Sequence, residues 1–219
     1  CRLSQQSCPR PRKHPACVFD GLHRLYILGG GDDQNDFRED MSRFRVAVDS
    51  FDTHRGKWAF EPNMVTGRAD FGACRVGKEI IAIGGFRPLP ARFDSPTPTF
   101  SYPPLDITSS ERIILSSIDA CQVNVGSWQT RNSLQCPRHH FALVTMASRF
   151  YVIGGITDVR GWSHSSSVYL NSIEVISEAG RKIKTCTLMP RAVAGCHAVA
   201  VGHRILIIGG EGVLQNYPQ

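Results

Sequence analysis

No apolar run in these 219 residues approaches the roughly 20 that a membrane helix needs. The longest, such as Ile205 to Ile208, are a few residues each, so no transmembrane segment and no membrane partner are expected. The opening stretch from Cys1 to Lys13 is polar and basic with no apolar core, which does not read as a signal peptide. Lys+Arg outnumber Asp+Glu by 25 to 19, yet no basic run resembles a nucleic-acid patch. The nearest, Arg10, Arg12 and Lys13, reads as a solvated loop, and nucleic acid is not expected as a partner.

The cysteines, Cys1, Cys8, Cys17, Cys74, Cys121, Cys136, Cys186 and Cys196, include no CxxC pair and no zinc-ligand rhythm. Cys17, Cys74 and Cys196 fall in apolar strand patterns, where a free cysteine acts as a small buried hydrophobe. Reduced thiols and a cytoplasmic location are the expectation. Hydrophobic residues at 42% and charged ones at 20% are ordinary for a globular chain.

What is present is a repeat. The stretches "RLYILGG", "EIIAIGG", "RFYVIGG" and "RILIIGG" end on Gly29-Gly30, Gly84-Gly85, Gly154-Gly155 and Gly209-Gly210, at offsets of 55, 70 and 55 residues. Each is the second strand of a hairpin whose turn holds Asp20-Gly21, Gly77-Lys78, Ala147-Ser148 or Gly202-His203. An arginine opens each unit: Arg12, Arg68, Arg138 and Arg191. Downstream, Asp49 precedes Trp58 by nine residues, Asp119 precedes Trp128 by nine and Glu174 precedes Ile183 by nine. The acid starts a third strand, and the large apolar residue on the fourth is positioned to pack on the next unit. Four short strands per unit must stack on neighbours to be buried.

Glycine pairs, acid and tryptophan together resemble the kelch-repeat β-propeller family over nearly the whole chain. The resemblance implies an all-β fold of about three and a half four-stranded blades, part of a larger ring of six blades or so whose remainder the full-length chain supplies. Blades are expected at 9–62, 63–134, 135–189 and, incomplete, 190–219, with residues 1 to 8 the tail of a strand from another blade. The departures from the pattern are Ile183 in the tryptophan place, and Cys121 and Ile176 where Phe51 stands in the first unit.

Propeller strands are scaffold and loops carry binding. The loop with Asp32, Asp33, Asp36, Glu39 and Asp40 does not follow the order of a calcium-binding EF-hand loop and reads as solvated. The Pro-rich insertion 86–110, with Arg87, Arg92 and Phe93, is either a docking segment or a flexible addition. The loop "ITDVRGWSHSSSVYL" presents Arg160, Trp162 and His164, residue types that dominate interfaces. No cofactor or metal is expected. The glycine pairs are followed by no helical period, as a phosphate loop requires. His139 and His140, adjacent on a strand, should point to opposite faces. The family resemblance implies a non-enzymatic protein-interaction module, such as a ubiquitin-ligase adaptor or a cytoskeletal or regulatory scaffold. The alternative is a sugar isomerase or oxidase working at the propeller mouth, where His14, Asp70, His140 and His197 would converge.

Overall fold

A run such as Ile80-Ile81-Ala82-Ile83 has no polar face to turn to water, so a strand built from it must be covered on both sides. The computed structural model, which describes residues 7–31, 46–88, 112–123, 126–160, 165–177 and 183–212, covers it with neighbouring sheets. Unit one is an antiparallel sheet of β1 (Ala16–Phe19), β2 (Arg24–Leu28), β3 (Val48–Asp52) and β4 (Lys57–Glu61), in that order.

Unit two contains β5 (Gly72–Val76), β6 (Glu79–Ile83), β7 (Phe86–Pro88), β8 (Arg112–Ile114), β9 (Ser117–Gln122) and β10 (Trp128–Ser133). Its sheet runs β5-β6-β9-β10, and β7-β8 stands apart as a ribbon. Unit three repeats this plan. It has β11 (Ala142–Met146), β12 (Arg149–Ile153), β13 (Ile156–Arg160), β14 (Ser165–Tyr169), β15 (Ser172–Ser177) and β16 (Ile183–Leu188), with β13-β14 as the ribbon. Unit four shows the hairpin of β17 (His197–Val201) and β18 (Arg204–Ile208).

The first strands β1, β5, β11 and β17 lie side by side, so the sheets radiate from one axis as three and a half blades of an all-β propeller. Between units one and two, Val18, Tyr26, Leu28 and Val48 pack on Ile80, Ala82, Cys121 and Trp128. The intervening residues Ile81 and Ile83 face the other way, onto Phe150, Val152 and Ile176 of unit three. One strand thus serves two seams, which is why it is apolar without interruption.

The nine-residue interval is a register. Phe51 pairs with Trp58, Cys121 with Trp128 and Ile176 with Ile183, so the residue two after the acid faces the residue nine after it. Trp128 packs back on the preceding unit, opposite to the direction expected, and its Nε1–H donates to the Pro62 carbonyl at 3.0 Å. Arg191 also needs correction. The backbone bridges Lys13–Gly31, Ala69–Phe86, His139–Ile156 and Ala194–Glu211 place Val193, not Arg191, in the position of Arg12, Arg68 and Arg138. Arg191 is exposed.

Among the described residues Cys8, Cys17, Cys74, Cys121, Cys136 and Cys196 are free thiols. Cys17 is exposed rather than buried, because β1 alternates and its outward residue falls there.

Candidate functional site

The repeated arginine and the repeated acid meet in space. Arg68 and Asp119 are both fully buried, with Nη2 at 2.6 Å from Oδ2. Arg68 Nη1 also donates to the carbonyls of Gly84 at 2.9 Å and Ser117 at 3.0 Å. Arg138 repeats the arrangement on Gly154 at 3.0 Å, Ser172 at 3.1 Å and Glu174 at 2.6 Å. Arg12 does so on Gly29 at 3.1 Å, Ala47 at 3.0 Å and Asp49, joined there by Arg10. Each guanidinium ties the end of the second strand to the start of the third, using the fork geometry that lysine lacks.

The glycine pairs of units one to three sit where that clamp meets the next blade, with Gly30, Gly85 and Gly155 donating to the carbonyls of Arg68, Arg138 and Val193. Gly85 has φ +88, its N–H donates to the Arg138 carbonyl at 2.9 Å, and a Cβ there would stand 2.6 Å from the Ala69 carbonyl oxygen. Both N–H groups of the pair are spent on backbone carbonyls, Gly84 on Ser117 at 3.1 Å and Gly85 on Arg138. The pair exists because backbones of adjacent blades touch.

Around the axis, the Asp70 N–H donates to the His14 carbonyl at 3.1 Å, His140 to Asp70 at 3.3 Å and Gly195 to His140 at 2.8 Å. These residues hold left-handed backbones, with φ of +52° at His14, +52° at Asp70, +56° at His140 and +64° at Gly195. The expectation for His139 and His140 therefore fails, because a left-handed residue breaks strand alternation. His139 Nδ1 lies 2.9 Å from Asp70 Oδ2, and His140 Nδ1 lies 3.0 Å from the same oxygen. Burial would raise the Asp70 carboxyl, but the hydrogen bond from His139 and the proximity of His140 outweigh it and hold the group below its ordinary value.

The ribbons rise at this same end, after the glycine pairs of units two and three. Arg112 on β8 reaches Asp158 on β13, Nε to Oδ2 at 3.2 Å, and Ser167 on β14 at 3.3 Å. Its guanidinium lies over the Phe86 ring, 5.7 Å from the centroid, and Phe86 in turn meets the His139 ring edge-on at 5.3 Å. Insertions from two blades are thus fastened to one another beside the axial mouth.

No family model matches the chain. Alpha-scruin of Limulus polyphemus is 24% identical over 248 aligned positions, which take in 97% of this chain and 25% of that protein. Kelch domain-containing protein 8B, from Homo sapiens and from Pongo abelii, is 24% identical over 169 positions, 75% of this chain and 42% of the relative. Both are kelch-repeat proteins. This chain carries kelch-type repeats. It spans a quarter of the first relative and less than half of the second. Among the described residues no helix is long and apolar enough to cross a membrane.

Within the kelch frame, Arg87 is exposed on β7, and Arg160 closes β13, with its backbone paired to Ser165. Trp162, His164, Arg92, Phe93 and the acidic residues of 32–40 lie outside the described residues, as do residues 1–6. Sequence reasoning brought Asp70 and His140 to the mouth but did not add His139 to them, and it did not join Arg112 to Asp158. The signal for the cluster was the shared place of His14, Asp70 and His140, each two residues after a repeated arginine.

Proposed function

We propose that this chain is a non-enzymatic interaction module that recruits a protein partner at the end carrying the β7-β8 and β13-β14 ribbons. The observation that carries the reading is the Arg112–Asp158–Ser167 link, which ties the β7-β8 ribbon to the β13-β14 ribbon. Binding residues on loops held by a stiff scaffold are the usual arrangement. Arg87, Arg92, Phe93, Arg160, Trp162 and His164 supply the contacts. The kelch-type relatives favour an interaction or cytoskeletal scaffold over a catalyst. Both Nδ1–H groups of the histidine pair are also committed to Asp70.

Further blades of the full-length polypeptide complete the ring. Gly209 has nothing within 4 Å of a built Cβ, where Gly84 meets the Arg138 carbonyl at 2.7 Å. Val201, Leu206 and Ile208 stand exposed on the same hairpin. That is the surface another blade would bury.

A clean test is available, because Pro88 and Arg112 are register partners on β7 and β8. Replacing residues 89–111 of the full-length chain by Asn-Gly closes the ribbon with a two-residue turn and leaves the sheet untouched. Loss of captured partners with an unchanged melt is the expected outcome. An unchanged set of partners removes that insertion from the interface.

A further inference from the structure

The Asp70 cluster is unbalanced in a way that identifies what it would hold. Asp70 accepts from Nδ1 of both His139 and His140. An ionised Asp70 fixes each neutral imidazole as the Nδ1–H tautomer, so each Nε2 is left as a lone-pair acceptor. His139 Nε2 is buried and has no hydrogen-bond partner among the described residues. That atom is not on the wall of the axial cavity, so what the cavity can hold is set by Asp70 and the His140 Nε2 lone pair, which do line it or border it. The cluster offers an anion and two lone pairs, and with both Nδ1–H groups committed it offers no donor. Arg112, the guanidinium that stacks on Phe86 beside His139, is occupied by Asp158 and Ser167.

A cavity of about 390 Å³ opens on the axis beside this cluster, with Asp70 and His140 among its lining residues. Its walls include Phe71, Phe141 and Leu143, which are apolar and can hold an aliphatic stem. The volume falls within the range of pockets that take small groups. Gly195 is glycine at the wall for a stated reason, since a Cβ there would lie 2.6 Å from His140 Nε2.

We infer that the axial cavity is a recognition pocket for a cationic hydrogen-bond donor, the ammonium or guanidinium of a basic side chain presented by the partner. The aliphatic stem lies along Phe71, Phe141 and Leu143, and the charged head meets Asp70 and the His140 Nε2 lone pair. This rests on the interaction reading above and names the side chain that the partner contributes.

The experiment uses the full-length polypeptide with histidine rings labelled with nitrogen-15, titrated with N-acetyl-lysine methylamide. N-acetyl-norleucine methylamide, the same stem without charge, is the control. The lysine compound should shift the His140 Nε2 resonance saturably, and the norleucine compound should leave it unmoved at equal concentration. Asp70→Asn should weaken the response roughly tenfold or more, the effect of losing a charged hydrogen-bond partner. Cys17→Trp enlarges an exposed wall residue without touching the cluster and should block the response. Equal responses to the two compounds, no response to either, or an unaffected Cys17→Trp protein would each overturn the inference. A protein that ignores the amine but still captures its partner through the ribbons overturns this pocket and leaves the interaction reading standing.

Discussion

Replacing Arg138 by methionine removes a charge and keeps most of the volume, so it isolates the clamp from simple cavity formation. Arg138 and Glu174 are 0% and 1% exposed, and Nη2 stands 2.6 Å from Oε1. Without the guanidinium, the Glu174 carboxylate keeps, among the described residues, the backbone N–H groups of Gln135 at 2.8 Å and Cys136 at 3.1 Å. The carbonyls of Gly154 and Ser172 lose their Arg138 donor as well. Breaking a buried pair from one side costs about 3–5 kcal/mol. For a domain of this size that lowers the melting midpoint by about 6–20 °C. Urea unfolding of the full-length protein reads the change directly, with Arg191→Met, an exposed position, as the control expected within about 0.5 kcal/mol of wild type. The double variant Arg138→Met/Glu174→Leu should recover part of the loss, because no uncompensated charge remains. A loss under about 1 kcal/mol for Arg138→Met, the value of an exposed pair, would refute the clamp.

Three further outcomes follow from the same geometry. Gly154→Ala places a methyl on the Val193 carbonyl at φ +64 and should be far more damaging than Gly209→Ala, at φ +70 with open space around it; equal midpoint shifts would count against the seam. Ala147 and Ser148 form a two-residue turn with φ +49 and +58, so Ser148→Gly should raise the unfolding free energy by about 1 kcal/mol, and a lower value contradicts the assignment. Asp70 is depressed in the folded state, so its contribution is fully present above the unfolded value of about 3.9 and is lost as pH falls through the folded value; Asp70→Asn should flatten the acid limb of stability against pH, and an unchanged limb opposes the cluster.

The scaffold was legible because its constraints are local. A glycine pair after an apolar strand, and an acid nine residues before a tryptophan, are short-range patterns set by hairpin register. The clamp was half legible. Arg68 and Asp119 were each visible as repeats but are 51 residues apart across an insertion, and nothing local joins them. Val193 exposes the rule by exception, since Arg191 matched the spacing to a nearby proline rather than to the backbone bridge. The mouth was partly legible, since Asp70 and His140 were expected there and His139 was not. His139 and His140 were assigned to alternate faces on the premise of regular strand, and a left-handed φ of +56 at His140 is a tertiary fact that converges both rings on Asp70. The β7-β8 ribbon was missed because its strands are three residues each and separated by a long insertion.

Hydrogen exchange on the full-length protein with its captured partner tests the central claim most directly, that the ribbon end is the interaction face. Protection on binding is predicted in Phe86–Pro88, Arg112–Ile114, Ile156–Arg160 and Ser165–Tyr169, with the opposite turns at 20–23, 77–78, 147–148 and 202–203 unchanged. Protection confined to those turns would contradict the account.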